Sequence, residues 1–173
     1  MAGGLGALTR EGTPLFGGGQ VEHGGGTPAN SVASYTPATG TCVALGGGVR
    51  YCTTCGGNHA GRVRALLYNA GRLWVGGTFT EAGSSLTSDL ASWTGTAWTV
   101  YGAGVVSTAG APTIYAFAAD GSTGTIFVGG MFTSVAGTAS QALVQFNGTS
   151  WAATGDFTNG LATSPVRAFA VVA

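Results

Sequence analysis

Charge is what this sequence has least of. Its 173 residues carry six arginines, no lysine and six acids, so the formal net charge is zero and charged residues make up 7% of the chain. Such a balance excludes the basic field that draws in nucleic acid or an anionic membrane surface. It also leaves little repulsion between copies, which favours assembly over a freely soluble monomer. Long apolar runs are lacking as well. No stretch approaches the roughly 18–20 residues of a membrane-spanning helix. The segment Met1 to Arg10 has neither an early basic cluster nor an apolar region of about 7–15 residues, so it does not read as a signal peptide. Helical periodicity is absent throughout.

Glycine is what the chain has in quantity, with 33 residues against five prolines. The glycines punctuate short apolar, aromatic and β-branched runs at regular spacing, the pattern of many short strands joined by tight turns. Leu73-Trp74-Val75-Gly76-Gly77-Thr78-Phe79-Thr80 returns as Ile126-Phe127-Val128-Gly129-Gly130-Met131-Phe132-Thr133, and a degraded copy stands at Leu15 to Val21. Self-similarity of this kind marks a tandem array. Aligning the copies on Gly17-Gly18, Gly76-Gly77 and Gly129-Gly130 brings the same succession of signals into register each time.

After each double glycine comes an alternating strand that ends in an aromatic: Ser31 to Tyr35, Asp89 to Trp93, and Ala142 to Phe146. A turn follows, which in the third copy is Asn147-Gly148, the strongest short hairpin signal. Beyond the turn, Cys42, Trp98 or Trp151 opens a further strand that closes in glycines, followed by Val49 and Val105 in the first two copies. Another strand then begins at Val63, Ile114 or Val166 and leads into the next double glycine. The expectation is an all-β chain of tandem four-stranded antiparallel sheets: one repeat domain over 1–173, with units at about 5–62, 63–113 and 114–165. Residues 166–173 would open a further unit. The repeated aromatics Trp74, Phe79, Trp93, Trp98, Phe127, Phe132, Phe146 and Trp151 are expected in the core, because adjacent units can stack faces that no unit buries alone. Trp98 and Trp151 are expected at equivalent, largely buried positions.

The order of strand, double glycine, strand, aromatic, short turn and Trp resembles the Kelch type of β-propeller repeat. The version at Leu73 to Phe79, with Trp93 and Trp98 after it, is similar to the Val-Gly-Gly-x-Phe repeats of large cell-surface proteins. The resemblance covers nearly the whole chain and implies propeller blades. It also implies an extracellular or cell-surface setting, and it leaves function open, since one fold serves many functions. The first unit departs from the pattern by carrying Cys42 in place of Trp. Because the chain begins and ends at the same phase of the repeat, it reads as part of a larger propeller, or as a module whose partner is a neighbouring unit or copy.

Few residues point to chemistry. Cys42, Cys52 and Cys55 are candidates for a disulfide, Cys42 pairing with Cys52 or Cys55, and with His59 their spacing also suits a zinc site. Asn147-Gly148-Thr149 fits the acceptor pattern for an N-linked glycan, although the turn alone accounts for it. Ser and Thr between Thr78 and Ser88 could carry O-linked sugar or serve as ordinary loop residues. Glu81, Asp89, Asp120 and Asp156 do not recur at one slot and pair with no nucleophile, which gives hydrolysis no anchor. His23 and His59 do not map onto a copper site, and no cofactor is expected. The reading is a non-catalytic structural module of an extracellular assembly or filament. A glycan- or protein-binding platform is the alternative, and an enzyme comes third.

Overall fold

The computed structural model describes residues 4–10, 12–24, 26–51, 60–155 and 165–170. Every element among them is a β-strand, and three four-stranded antiparallel sheets follow one another along the chain. Unit 1 comprises Leu5–Arg10, Leu15–Gly19, Val32–Thr36 and Thr41–Ala44, in that spatial order. Unit 2 has Arg62–Asn69, Arg72–Thr78, Leu90–Trp93 and Trp98–Val100. Unit 3 has Thr113–Ala119, Ile126–Met131, Leu143–Phe146 and Trp151–Ala153. Within each unit, consecutive strands are neighbours, the arrangement that short turns impose.

Register fixes which residues are equivalent. Leu15 faces Tyr35, Leu73 faces Trp93, and Ile126 faces Phe146. The paired glycines of unit 1 are therefore Gly18-Gly19, one residue beyond the pair the sequence pattern selects. The physical reason is close packing. A side chain on Gly18 would collide with Val63, one on Gly76 with Ile114, and one on Gly129 with Val166 and Phe169. Each glycine makes room for the first strand of the next unit.

Those first strands lie against one another in succession, Leu5–Arg10 beside Arg62–Asn69 and Arg62–Asn69 beside Thr113–Ala119. Each carries a bulge at the same slot, Gly6, Arg64 and Tyr115, where the pairing skips a residue. Residues 165–170 are not paired as a strand. Val166 nonetheless donates its N–H to Gly130 O at 3.2 Å, and with Phe169 it sits over Gly129 as Ile114 and Phe117 sit over Gly76. Val171 to Ala173 lie outside the described residues.

Two apolar cores fill the spaces between units. The first joins Phe16, Val32, Leu45 and Val49 of unit 1 to Val63, Leu73, Val75 and Ala91 of unit 2. The second joins Ala65, Trp74, Leu90 and Val105 of unit 2 to Ile114, Ile126, Val128 and Val144 of unit 3. Small sheets clasp each junction. Val49–Arg50 pairs with the Glu81–Ala82 and Ser85–Leu86 hairpin, and Val105–Val106 pairs with the Ser134–Val135 and Thr138–Ala139 hairpin. The segment leaving one unit is thus hydrogen-bonded to the hairpin inside the next.

Candidate interaction surface

Every sheet has one face toward the preceding unit, and the lining of that face follows from the register. In unit 2 it carries Val63, Leu66, Leu73, Trp93 and Trp98, all packed into the first core. In unit 3 it carries Ile114, Phe117, Ile126, Phe146 and Trp151, packed into the second. The same slots in unit 1 hold Leu5, Leu8, Leu15, Tyr35 and Cys42. There they line an open apolar groove of about 370 Å³. Leu5 is 62% exposed and Leu8 59%. Beside this groove, the His23–Gly24 and Thr27–Pro28 hairpin matches the clasp hairpins of units 2 and 3. Among the described residues no third strand joins it.

The far face of unit 3 shows the converse. Phe127 occupies the slot of Trp74, which is only 2% exposed beneath unit 3, yet Phe127 is only half-buried. Val166 and Phe169 cover Gly129 beside it.

Of the aromatics expected in the core, Trp74, Phe79 and Phe132 are fully buried. Trp93, Trp98, Phe127, Phe146 and Trp151 are half-buried. Trp98 and Trp151 are equivalent, facing Trp93 and Phe146 across their hairpins, and each is partly buried against an inter-unit core, Trp98 against the first and Trp151 against the second. Each opens the fourth strand, at an edge of its sheet. Trp98 donates its indole N–H to Leu45 O at 2.9 Å and Gly46 O at 3.1 Å in the preceding unit. Trp151 instead packs edge-on against Trp74 and Tyr101.

Among the described residues Cys42 pairs with no other cysteine. Cys52, Cys55, His59 and Asp156 lie outside the described residues. Among those described, no three His, Cys, Asp or Glu side chains gather as a metal site. Asn147 is exposed, and its Oδ1 accepts from the N–H groups of Thr149 (3.0 Å) and Ser150 (2.8 Å), so the side chain closes its own hairpin. No helix of the described residues is long and apolar enough to cross a membrane.

The acids are dispersed. Asp89 is buried in a left-handed backbone conformation, with φ of 63°, and accepts from Phe79 N–H at 2.7 Å. Burial pushes its carboxyl up to about 6, against the pull of Phe79 N–H and Ser88. Burial, and then Asp89 itself, also raises Tyr51. Asp120 sits in a surface turn where Ser122 and Thr123 hold its carboxyl down at about 2. Glu81 pairs with Arg50 at 2.7 Å.

Two arrangements escape a reading of the sequence alone. Arg64 and Arg167 flank the Tyr115 ring, with guanidinium carbons 5.5 and 4.8 Å from its centroid, a cation–π row built from one repeat slot. Its trace in the sequence is one slot of the Val63, Ile114 and Val166 segments, which holds Arg64, Tyr115 and Arg167. The other is the groove around Arg72, whose members come from separate strands. Compared with known proteins, the chain matches no family model and no curated sequence.

Proposed function

We propose that the chain is a non-catalytic structural module of the Kelch-like propeller type. Its sheets are blades, and its end faces dock further units of the same kind, here the units of a second copy. The observation that carries this reading is the exposure of Leu5 and Leu8 in slots whose counterparts, Val63 with Leu66 and Ile114 with Phe117, pack into inter-unit cores. An apolar face that two neighbouring units bury by a common geometry is complementary to a third such unit. In that contact, Leu5 and Leu8 of the incoming copy take the place over Gly129 that Val166 and Phe169 hold, so residues 165–170 give way. A contact of this head-to-tail kind propagates into a filament unless its rotation closes a ring. The near-neutral composition favours such association, and an extracellular or cell-surface setting accords with the resemblance in the repeats.

Sedimentation velocity over a range of concentrations tests the proposal. The parent chain should assemble as concentration rises, and a Leu5→Asp/Leu8→Asp variant with an unchanged circular-dichroism spectrum should remain monomeric. A parent that stays monomeric at high concentration, or a variant that assembles equally well, would refute it.

A further inference from the structure

Grooves open at equivalent places between units 1 and 2 and between units 2 and 3, and their linings differ. The first is lined by Pro14, Phe16, Val43, Leu45, Tyr68 and Trp93. The second, of about 230 Å³, is lined by Asn69, Arg72, Trp74, Thr99, Tyr101 and Phe146. By register, Arg72 takes the slot of Pro14, Thr99 that of Val43, and Tyr101 that of Leu45. Three apolar positions have become polar in one junction only.

Arg72 is held in place. Its Nη1 donates to Ser92 Oγ at 3.2 Å and to Thr99 Oγ1 at 3.4 Å, and Ser92 Oγ is 2.8 Å from the Tyr101 hydroxyl. Neither hydroxyl neutralises the guanidinium, and the only ion pair among the described residues is Arg50 with Glu81. The Tyr101 hydroxyl also bonds this side chain, and of a guanidinium's five donors these hydroxyls engage only part, which leaves N–H groups for a planar carboxylate. Beside it, Asn69 offers an amide donor and acceptor, while the partly exposed ring of Phe146 forms an apolar wall, with Trp74 buried behind it. That wall suits the C–H face of a sugar ring.

We propose that the unit 2–3 groove binds a carboxylate-bearing monosaccharide unit, a hexuronate, with Arg72 on the carboxylate and Asn69 on a hydroxyl. The volume lies below the roughly 300–1,000 Å³ of pockets for drug-sized ligands, so one ring fits. This site does not depend on assembly, and its test uses the 173-residue chain with Leu5→Asp/Leu8→Asp to keep the two apart.

Calorimetry and tryptophan fluorescence would follow titrations with sodium glucuronate, glucose and sodium sulfate at matched ionic strength. Glucuronate should saturate with a Kd of about 1 mM, the range for so small a ligand, with glucose and sulfate at least about tenfold weaker. Arg72→Gln should abolish the preference for glucuronate. Arg72→Lys, which keeps the charge and loses the fork, should weaken binding several-fold and serves if the Gln variant fails to fold. Absence of saturation, equal affinity for glucose, or undiminished binding by both variants would overturn the site. Sulfate binding as tight as glucuronate would reduce it to an adventitious anion site and overturn it equally.

Discussion

The two junctions between units solve one packing problem in two ways. Between units 1 and 2, the ring of Trp98 lies on a glycine turn and hydrogen-bonds Leu45 O and Gly46 O, with Trp93 tilted against it at 5.4 Å. Between units 2 and 3, Tyr101 stands where Leu45 stood. Trp74 stacks on it at 5.1 Å, and Phe146 and Trp151 close the cluster edge-on. A small, glycine-rich turn admits a ring that bonds to backbone, whereas a large residue there turns the junction into an aromatic cluster. The repeat fixes the positions and leaves the chemistry of each junction free to diverge.

The largest effects should expose that asymmetry. Trp74→Ala removes the residue on which the second cluster converges, and should cost about 3–5 kcal/mol. Its counterpart Phe16, 8% exposed and stacked among the described residues on Tyr68, should cost less on the same truncation. Urea denaturation of both variants decides the matter. Equal losses would mean that the aromatic cluster adds nothing beyond the area it buries.

A second difference is one of pH. The slot entering the third strand has positive φ in all three units and holds Ser31, Asp89 and Ala142, so only unit 2 places a carboxyl there. Its folded pKa of about 6 lies above the ordinary 3.8, which means that the folded state binds the proton more tightly than the unfolded chain does. The associated stability is fully present below about pH 4 and is lost as pH rises through 6, up to about 3 kcal/mol. Asp89→Asn should flatten that slope in denaturation midpoints measured from pH 4 to 7. The depressed carboxyl of Asp120 acts in the opposite sense, its contribution lost only as pH falls toward 2. A parent whose stability rises from pH 4 to 7 would contradict the assignment to Asp89.

Much of this architecture was legible in the sequence because its signals are local. Alternation ending in Trp93 or Phe146, turns such as Asn147-Gly148, and the double glycines each declare a strand or its end within a few residues. What escaped depends on neighbours distant in sequence. Gly17-Gly18-Gly19 offers two possible pairs, and only the pairing of Leu15 with Tyr35 chooses between them. The partners of Trp98 and Trp151 likewise lie in the preceding unit, Leu45 O for the one and Trp74 with Tyr101 for the other. The Arg72 groove assembles from strands that no local pattern joins, so its polar lining shows only once equivalent slots are compared.

Trp98→Phe should separate the two solutions on a finer scale. It removes an indole N–H bonded across the first junction while keeping a ring in the slot, at a cost of about 1–2 kcal/mol. Trp151→Phe breaks no comparable bond in the second junction. If thermal unfolding shows the two variants equally affected, the hydrogen bonds of Trp98 contribute nothing distinct.

The smallest effect concerns the clasps. Arg50 and Glu81 face each other across the first, while the same slots in the second hold Val106 and Ser134. The Arg50 to Glu81 pair at 2.7 Å is partly shielded, with side chains 25% and 9% exposed, so it should contribute about 0.5–1 kcal/mol, little more than a surface pair. Global unfolding would barely register its loss, but local opening should. Thr80 N–H and Gly83 N–H cross the first clasp to Arg50 O and Gly48 O, and Thr133 N–H and Ala136 N–H cross the second to Val106 O and Gly104 O. Amide hydrogen exchange reads the two clasps separately. Glu81→Gln should speed exchange at Thr80 and Gly83 about two- to fivefold and leave Thr133 and Ala136 unchanged, and 1 M salt should act on the parent in the same direction. Acceleration at all four amides would show that the clasps open as one cooperative unit, and the independence of the two junctions would fail with it.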